Sequence, residues 1–294
     1  MRLILAVLPG AVALAAAGAQ GPPSTDVFLA PLHLTATGAS VGAVANITSR
    51  PGYDNQPSFT PDGRSILFTS IRDDGQSDIY RYDIAARTIA RVTATPESEY
   101  SATVMPDGRR FSVIRVEKDS AQRLWSFALD GSDPEIVVAG LRPVGYHAWI
   151  DSRNLALFVL GKPNALVHAN LATGALDTLA RNIGRSLQPL PDRVGFSFTQ
   201  RTDSGTFRLK TMRWPSRATK DLIDLPRGTE DVAWLGKGMV LAAQGTTLIV
   251  WQTGDRRWRT VTDLAAANLT NITRLAVSPD GKWLALVGVP KAGP

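Results

Sequence analysis

The sequence predicts an all-β chain: a six-bladed β-propeller of four-stranded antiparallel blades, its last blade closed by strands from both ends of the chain. Three observations predict it. The phrase "PSFTPDGRSILFTS" at 57–70 returns as "LAVSPDGKWLALVG" at 275–288. Between the two, short β-branched and aromatic runs alternate with turn formers at a spacing of roughly 40 to 45 residues, the period of a propeller blade. The final copy supplies two strands only, and the N-terminal region offers the missing pair.

Taken in order, "MRLILAVLPGAVALAAAGAQ" has a basic start at Arg2, an apolar stretch and small residues at Ala17-Gly18-Ala19. This pattern reads as a secretory signal peptide over 1–19, with the propeller domain over 20–294. "DVFLAPLHL" (26–34) and "GAVANITS" (42–49) read as the third and outermost strands of the shared sixth blade (26–48 with 273–290). Blade one (57–95) holds four runs, around Ser58–Thr60, Ile66–Thr69, Ile79–Tyr82 and Ile89–Val92. Its "PDGR" is a hairpin turn in which Pro61 presets φ and Gly63 accepts a positive φ. Blade two (101–140) repeats the turn at Pro106-Asp107-Gly108. Blades three (146–182), four (186–226) and five (231–266) keep the spacing with eroded turns at Asp151-Ser152, Pro191-Asp192 and Gly236-Lys237-Gly238. A ring leaves two strand edges open, and unpaired edges invite aggregation. Sharing the last blade between both ends removes them.

The spelling carries a resemblance. "NITSRPGYDNQPSFTPDGRSILFTSIRDDGQSDIYRYD" (46–83) resembles the WD-like repeats of the TolB-type β-propeller family, in which "PSWSPDG…IAF.S.RDG…IY..D" marks a blade. Blade two and "ITRLAVSPDGKWLALV" match as well. The matched residues are turn and core positions, so the resemblance implies a fold and says little of an activity. The family's name-giving protein carries an α/β domain ahead of its propeller, which is not expected here, so membership of the Tol–Pal system is not implied. Oligogalacturonate lyases resemble the fold but rely on a histidine-rich site, and His33, His147 and His168 fall in three different blades.

Composition narrows the function classes. Hydrophobic residues are 44% and charged residues 20%, enough for a folded core; the net charge of +6 is spread without a basic run, which argues against nucleic acid. The absence of cysteine excludes disulfides, cysteine lipidation and cysteine-ligated metal. Beyond the leader, no stretch is long and apolar enough to span a bilayer. A periplasmic or secreted monomer is expected.

In a propeller the loops entering the innermost strands gather round one mouth of the channel. Here they offer Tyr53, Asp54, Asn55 and Gln56 from blade one, and Glu97, Glu99 and Tyr100 from blade two. Tyr146 and His147 come from blade three, Arg185 from blade four, Glu230 and Asp231 from blade five, and Arg274 from blade six. Tyrosine pairs a flat apolar face with a polar tip, suited to a peptide, a glycan or a segment of an envelope protein. The expected function is therefore a binding and interaction module. The alternative is a hydrolase or lyase acting on a carbohydrate or lactone at the same mouth, with Glu99 and Glu230, or His147 with Arg185, as candidate acid–base groups. No cofactor is expected. Calcium is the one ion the rim carboxylates, or Asp73, Asp74 and Asp78 of "IRDDGQSD", can suit.

Overall fold

The computed structural model describes residues 22–72, 75–236 and 238–291. They form six antiparallel sheets arranged as the blades of a propeller. Blade one runs outward through Tyr53–Phe59, Ser65–Ile71, Ser77–Asp83 and Thr88–Arg91. The innermost strands of blades two to six are Ser98–Val104, Val144–Trp149, Ile183–Pro189, Val232–Gly236 and Leu269–Val277. The single helical element among the described residues is a three-residue 3-10 turn, Ala265–Ala267.

Blade six is built from both ends of the chain. Asp26–Leu34 pairs antiparallel with Trp283–Pro290, in register from Asp26 opposite Gly288 to Pro31 opposite Trp283. Its outer position is filled by two short pieces in place of the single strand expected over 42–49. Ala39–Val41 pairs with Leu32–Leu34, and Ala45–Asn46 pairs with Phe28 and Leu29. The backbone of Gly42 still bonds Pro31 O at 2.8 Å, so the edge turns without leaving the sheet. The expected signal peptide over 1–19 lies outside the described residues.

Packing follows from period-two alternation with both faces buried. Six hydrophobic clusters fill the six seams between neighbouring blades. In the closing strand, Val27 and Leu29 face blade one beside Ile66 and Phe68, whereas Phe28 and Leu32 face blade five beside Leu235 and Leu241. This is why middle strands such as "SILFTSI" and "RFSVIRV" are nearly continuous apolar runs. The hairpin turns behave as their spelling demands: Gly63, Gly108 and Gly281 take φ of 69°, 69° and 71°. Asp62 Oδ1 accepts from both Thr60 Oγ1 and Arg64 N, which locks the first of them.

Candidate functional site

The polar stretches expected on entering loops are for the most part strand. Tyr53 to Gln56 open the inner strand of blade one, and Glu99 and Tyr100 lie within that of blade two. Five of the six inner strands carry a register shift near this point: between Asn55 and Ser58, Tyr100 and Thr103, Val144 and Tyr146, Ile183 and Leu187, and Thr270 and Arg274. A bulge adds a residue to one strand and re-aims the side chains around it. Gln56 and Ser101 accordingly take left-handed φ of 57° and 55°.

The outcome is a sorting of neighbours. Tyr53, Tyr100, Tyr146, Arg185, Asp231 and Arg274, one from each blade, share a single electrostatic neighbourhood. Arg274 donates from Nη2 to the Tyr146 hydroxyl at 2.8 Å, and its guanidinium carbon lies 4.8 Å from the centre of that ring. Blades three and six stand opposite each other in a six-membered ring, so this bond crosses the channel. Arg185 reaches over blade five to Thr273 O at 3.4 Å, while its own backbone N–H donates to Glu230 Oε1 at 2.7 Å. Asp231 accepts from Leu275 N at 2.9 Å, joining blade five to blade six.

Enclosure sets the charge states. Burial pushes the Tyr53 phenol up to about 12 against the opposing field of Arg274, so it stays a neutral donor. Burial also raises the Asp231 carboxyl, with Arg274 pulling the other way. For Arg274 enclosure disfavours the charge, but Tyr146 and Asp231 more than offset it and the guanidinium stays protonated.

Comparison with known proteins bears on what this arrangement is. The family described as "TolB beta propeller domain" matches residues 33–144. The solved structure of a putative TolB from Agrobacterium tumefaciens superposes with a TM-score of 0.69 over 90% of this chain and 98% of that one, at 16% identity. The chain is a six-bladed β-propeller, and its residues 33–144 match the TolB propeller family. Its sequence kinship to curated proteins is local: 29 residues are 66% identical to the Tol-Pal system protein TolB of Bordetella pertussis, a match spanning 10% of this chain and 7% of that protein. An oligogalacturonate lyase in complex with manganese shares the fold at a TM-score of 0.58 and 11% identity, over 84% of this chain and 80% of that one.

The ring turns the remaining rim candidates into its seams. Asp54 is buried, paired with Arg50 at 3.3 Å, and its backbone is clasped by Thr25 on both sides. Asn55 Nδ2 reaches Thr25 Oγ1 at 3.3 Å. Gln56 Oε1 accepts from Thr69 Oγ1 at 2.8 Å and from Ser101 N at 2.9 Å, tying blade one to blade two. Glu97 and Glu99 both engage Arg115, and Glu99 is fully buried with Thr95 donating to it. Burial lifts the Glu99 carboxyl from 4.5 to about 7 in spite of its hydroxyl partners and Arg115.

His147 meets Ser112 Oγ at 2.7 Å across the seam between blades two and three, and Trp149 Nε1 donates to the same oxygen at 2.9 Å. Burial alone lowers this imidazole to about 4, so it is neutral and closed off from Arg185. Trp234 Nε1 clips Ser197 Oγ in the same manner between blades four and five, also at 2.9 Å. The pairing is thus a seam fastening of the propeller. Asp73 and Asp74 of the calcium-loop expectation lie outside the described residues, and Asp78 is buried against Arg91 at 2.6 Å. No group of three or more metal-ligating side chains converges among the described residues.

Proposed function

We propose that this propeller is an exported binding module that holds a segment of an envelope protein across its channel mouth. The convergence of one polar or aromatic side chain from every blade, with the Tyr146–Arg274 bond across it, carries the reading. Such a rim is preformed: a ring of six packed seams resists deformation, so little ordering cost falls on association. Tyr53 and Tyr100 offer contact area with few rotatable bonds, the chemistry of adaptable protein recognition, while the Tyr146 ring is held by Arg274 and Phe158. The local likeness to a Tol-Pal system protein supports a periplasmic setting and a protein partner, and the leader-like N-terminus agrees.

A catalytic reading needs an acid and a base facing one pocket. Glu99 is enclosed with Thr95 and Arg115 whereas Glu230 serves Arg185, and among the described residues the two carboxyls share no partner. His147 is sealed in a seam. The binding reading therefore uses the residues that face the channel and asks nothing of those that do not.

The test is capture from a native envelope extract by the immobilised protein. Tyr53→Ala, Tyr100→Ala and Arg185→Ala together are expected to abolish retention of the captured protein, with the melting temperature nearly kept. Arg217→Ala, on the outer rim of blade four, serves as control. Undiminished retention by the triple variant would place the binding surface elsewhere.

A further inference from the structure

The Arg274 guanidinium is half-buried and under-used. Among the described residues it makes one hydrogen bond, from Nη2 to Tyr146. Asp231 shapes its field but uses Oδ2 on Leu275 N and does not close an ion pair with it. A guanidinium presents five N–H donors in a planar fork. Its remaining donors are not sealed off, and the natural complement of such a fork is a carboxylate. Arg185 adds a second, partly exposed fork. Its Nε stands 3.6 Å from Glu230 Oε2, beyond hydrogen-bond length, and has no hydrogen-bond partner among the described residues; Thr273 Oγ1, one residue before Arg274, is likewise without one.

We infer that the mouth receives the carboxylate of an acidic side chain from a partner protein segment, held between Arg274 and Arg185 with Tyr53 and Tyr100 beside it. The inference rests on the mouth being the binding surface and names what that surface reads. A planar carboxylate matches the guanidinium forks by geometry, and beside Glu230 and Asp231 a monoanion meets less repulsion than a dianionic phosphate. The source follows from the proposed function: a protein segment whose backbone lies over Tyr53 and Tyr100 and whose acidic side chain enters between the two arginines.

The experiment uses the ¹⁵N-labelled chain and three probes: the pentapeptide Ac-Gly-Gly-Glu-Gly-Gly-NH2, its Gln counterpart, and galacturonate. The Arg274 Nε–H resonance, assigned by its loss in Arg274→Gln, is followed with the amides of Tyr53 and Tyr100. The Glu peptide is expected to shift all three saturably. The Gln peptide, and the Glu peptide on Arg274→Gln, are expected to bind about ten-fold or more weakly, the effect of losing a charged hydrogen bond. Arg217→Gln should bind as the parent does. Should Arg274→Gln fail to fold, Arg274→Lys keeps the charge, loses the fork, and is expected to weaken binding as well. Equal binding of the Glu and Gln peptides at the mouth would overturn the carboxylate and leave the binding surface standing. Galacturonate binding ten-fold tighter than the Glu peptide would overturn the protein source. No shift at Tyr53, Tyr100 or Arg274 with any probe would remove both the inference and the surface beneath it.

Discussion

Replacing Glu99 with Gln should change how the stability of the ring depends on pH. Glu99 has no exposed surface and shares Arg115 with Glu97. Its carboxyl stands at about 7 in the folded chain, against an ordinary value of 4.5. Folding therefore takes up a proton between those two values. Below 4.5 both states hold the proton and the contribution is fully present. As pH rises toward 7 the unfolded chain gives up its proton first, and above 7 the folded chain must keep a buried charge. The loss across the whole window is about 3 kcal/mol, of which about 2 to 3 kcal/mol falls between pH 5 and pH 8. Glutamine retains an acceptor for the Thr95 hydroxyl and has no proton to lose. Urea unfolding of parent and variant at both pH values measures the difference directly, because all other titrating groups cancel. The gap should move in favour of Glu99→Gln by that amount, about 1 M in midpoint. Parallel pH profiles would mean that Arg115 neutralises Glu99 outright, and the burial-dominated account of this seam would be wrong.

Two further outcomes follow from the packing. Phe28→Ala, at 1% exposure in the cluster between blades five and six, should cost about 3 to 5 kcal/mol, read as a lowered unfolding midpoint; a loss below about 1 kcal/mol would show that the closing strand is not integral to the fold. The ring carbons of His147, held neutral by a value near 4, should show no titration by NMR between pH 5 and 8, and a midpoint near 6.5 would mean that water reaches the seam.

The repeat was legible because a hairpin turn has few spellings: Asp62 caps its own loop and Gly63 supplies the positive φ, and the same pair recurs at 107–108 and 280–281. Ring closure was legible because the last copy was two strands short. The site was legible as a set of segments but not as a set of side chains. "YDNQ" and "SEYS" look like loops because they are polar, yet they pair as strand through bulges. Each bulge breaks the alternation by which the two faces of a strand are told apart beyond it, and ahead of it Glu99 and Tyr100 fall to opposite faces, Glu99 beside Arg115 and Tyr100 against the core between blades two and three. The partners that hold the seam residues also carry no local signal. Ser112 lies 35 residues from His147 and Thr25 lies 30 from Asn55, and only the closed ring brings them together.

Blade six also decides how the molecule yields to force. Asp26 lies opposite Gly288, so the two outgoing ends of the chain leave this sheet at one and the same edge. Traction on them loads the rungs between the closing strands singly, from that edge inward, as a zipper is opened. The same rungs in shear would share the load. A ring that heat must melt across six seams can thus be opened mechanically within one sheet.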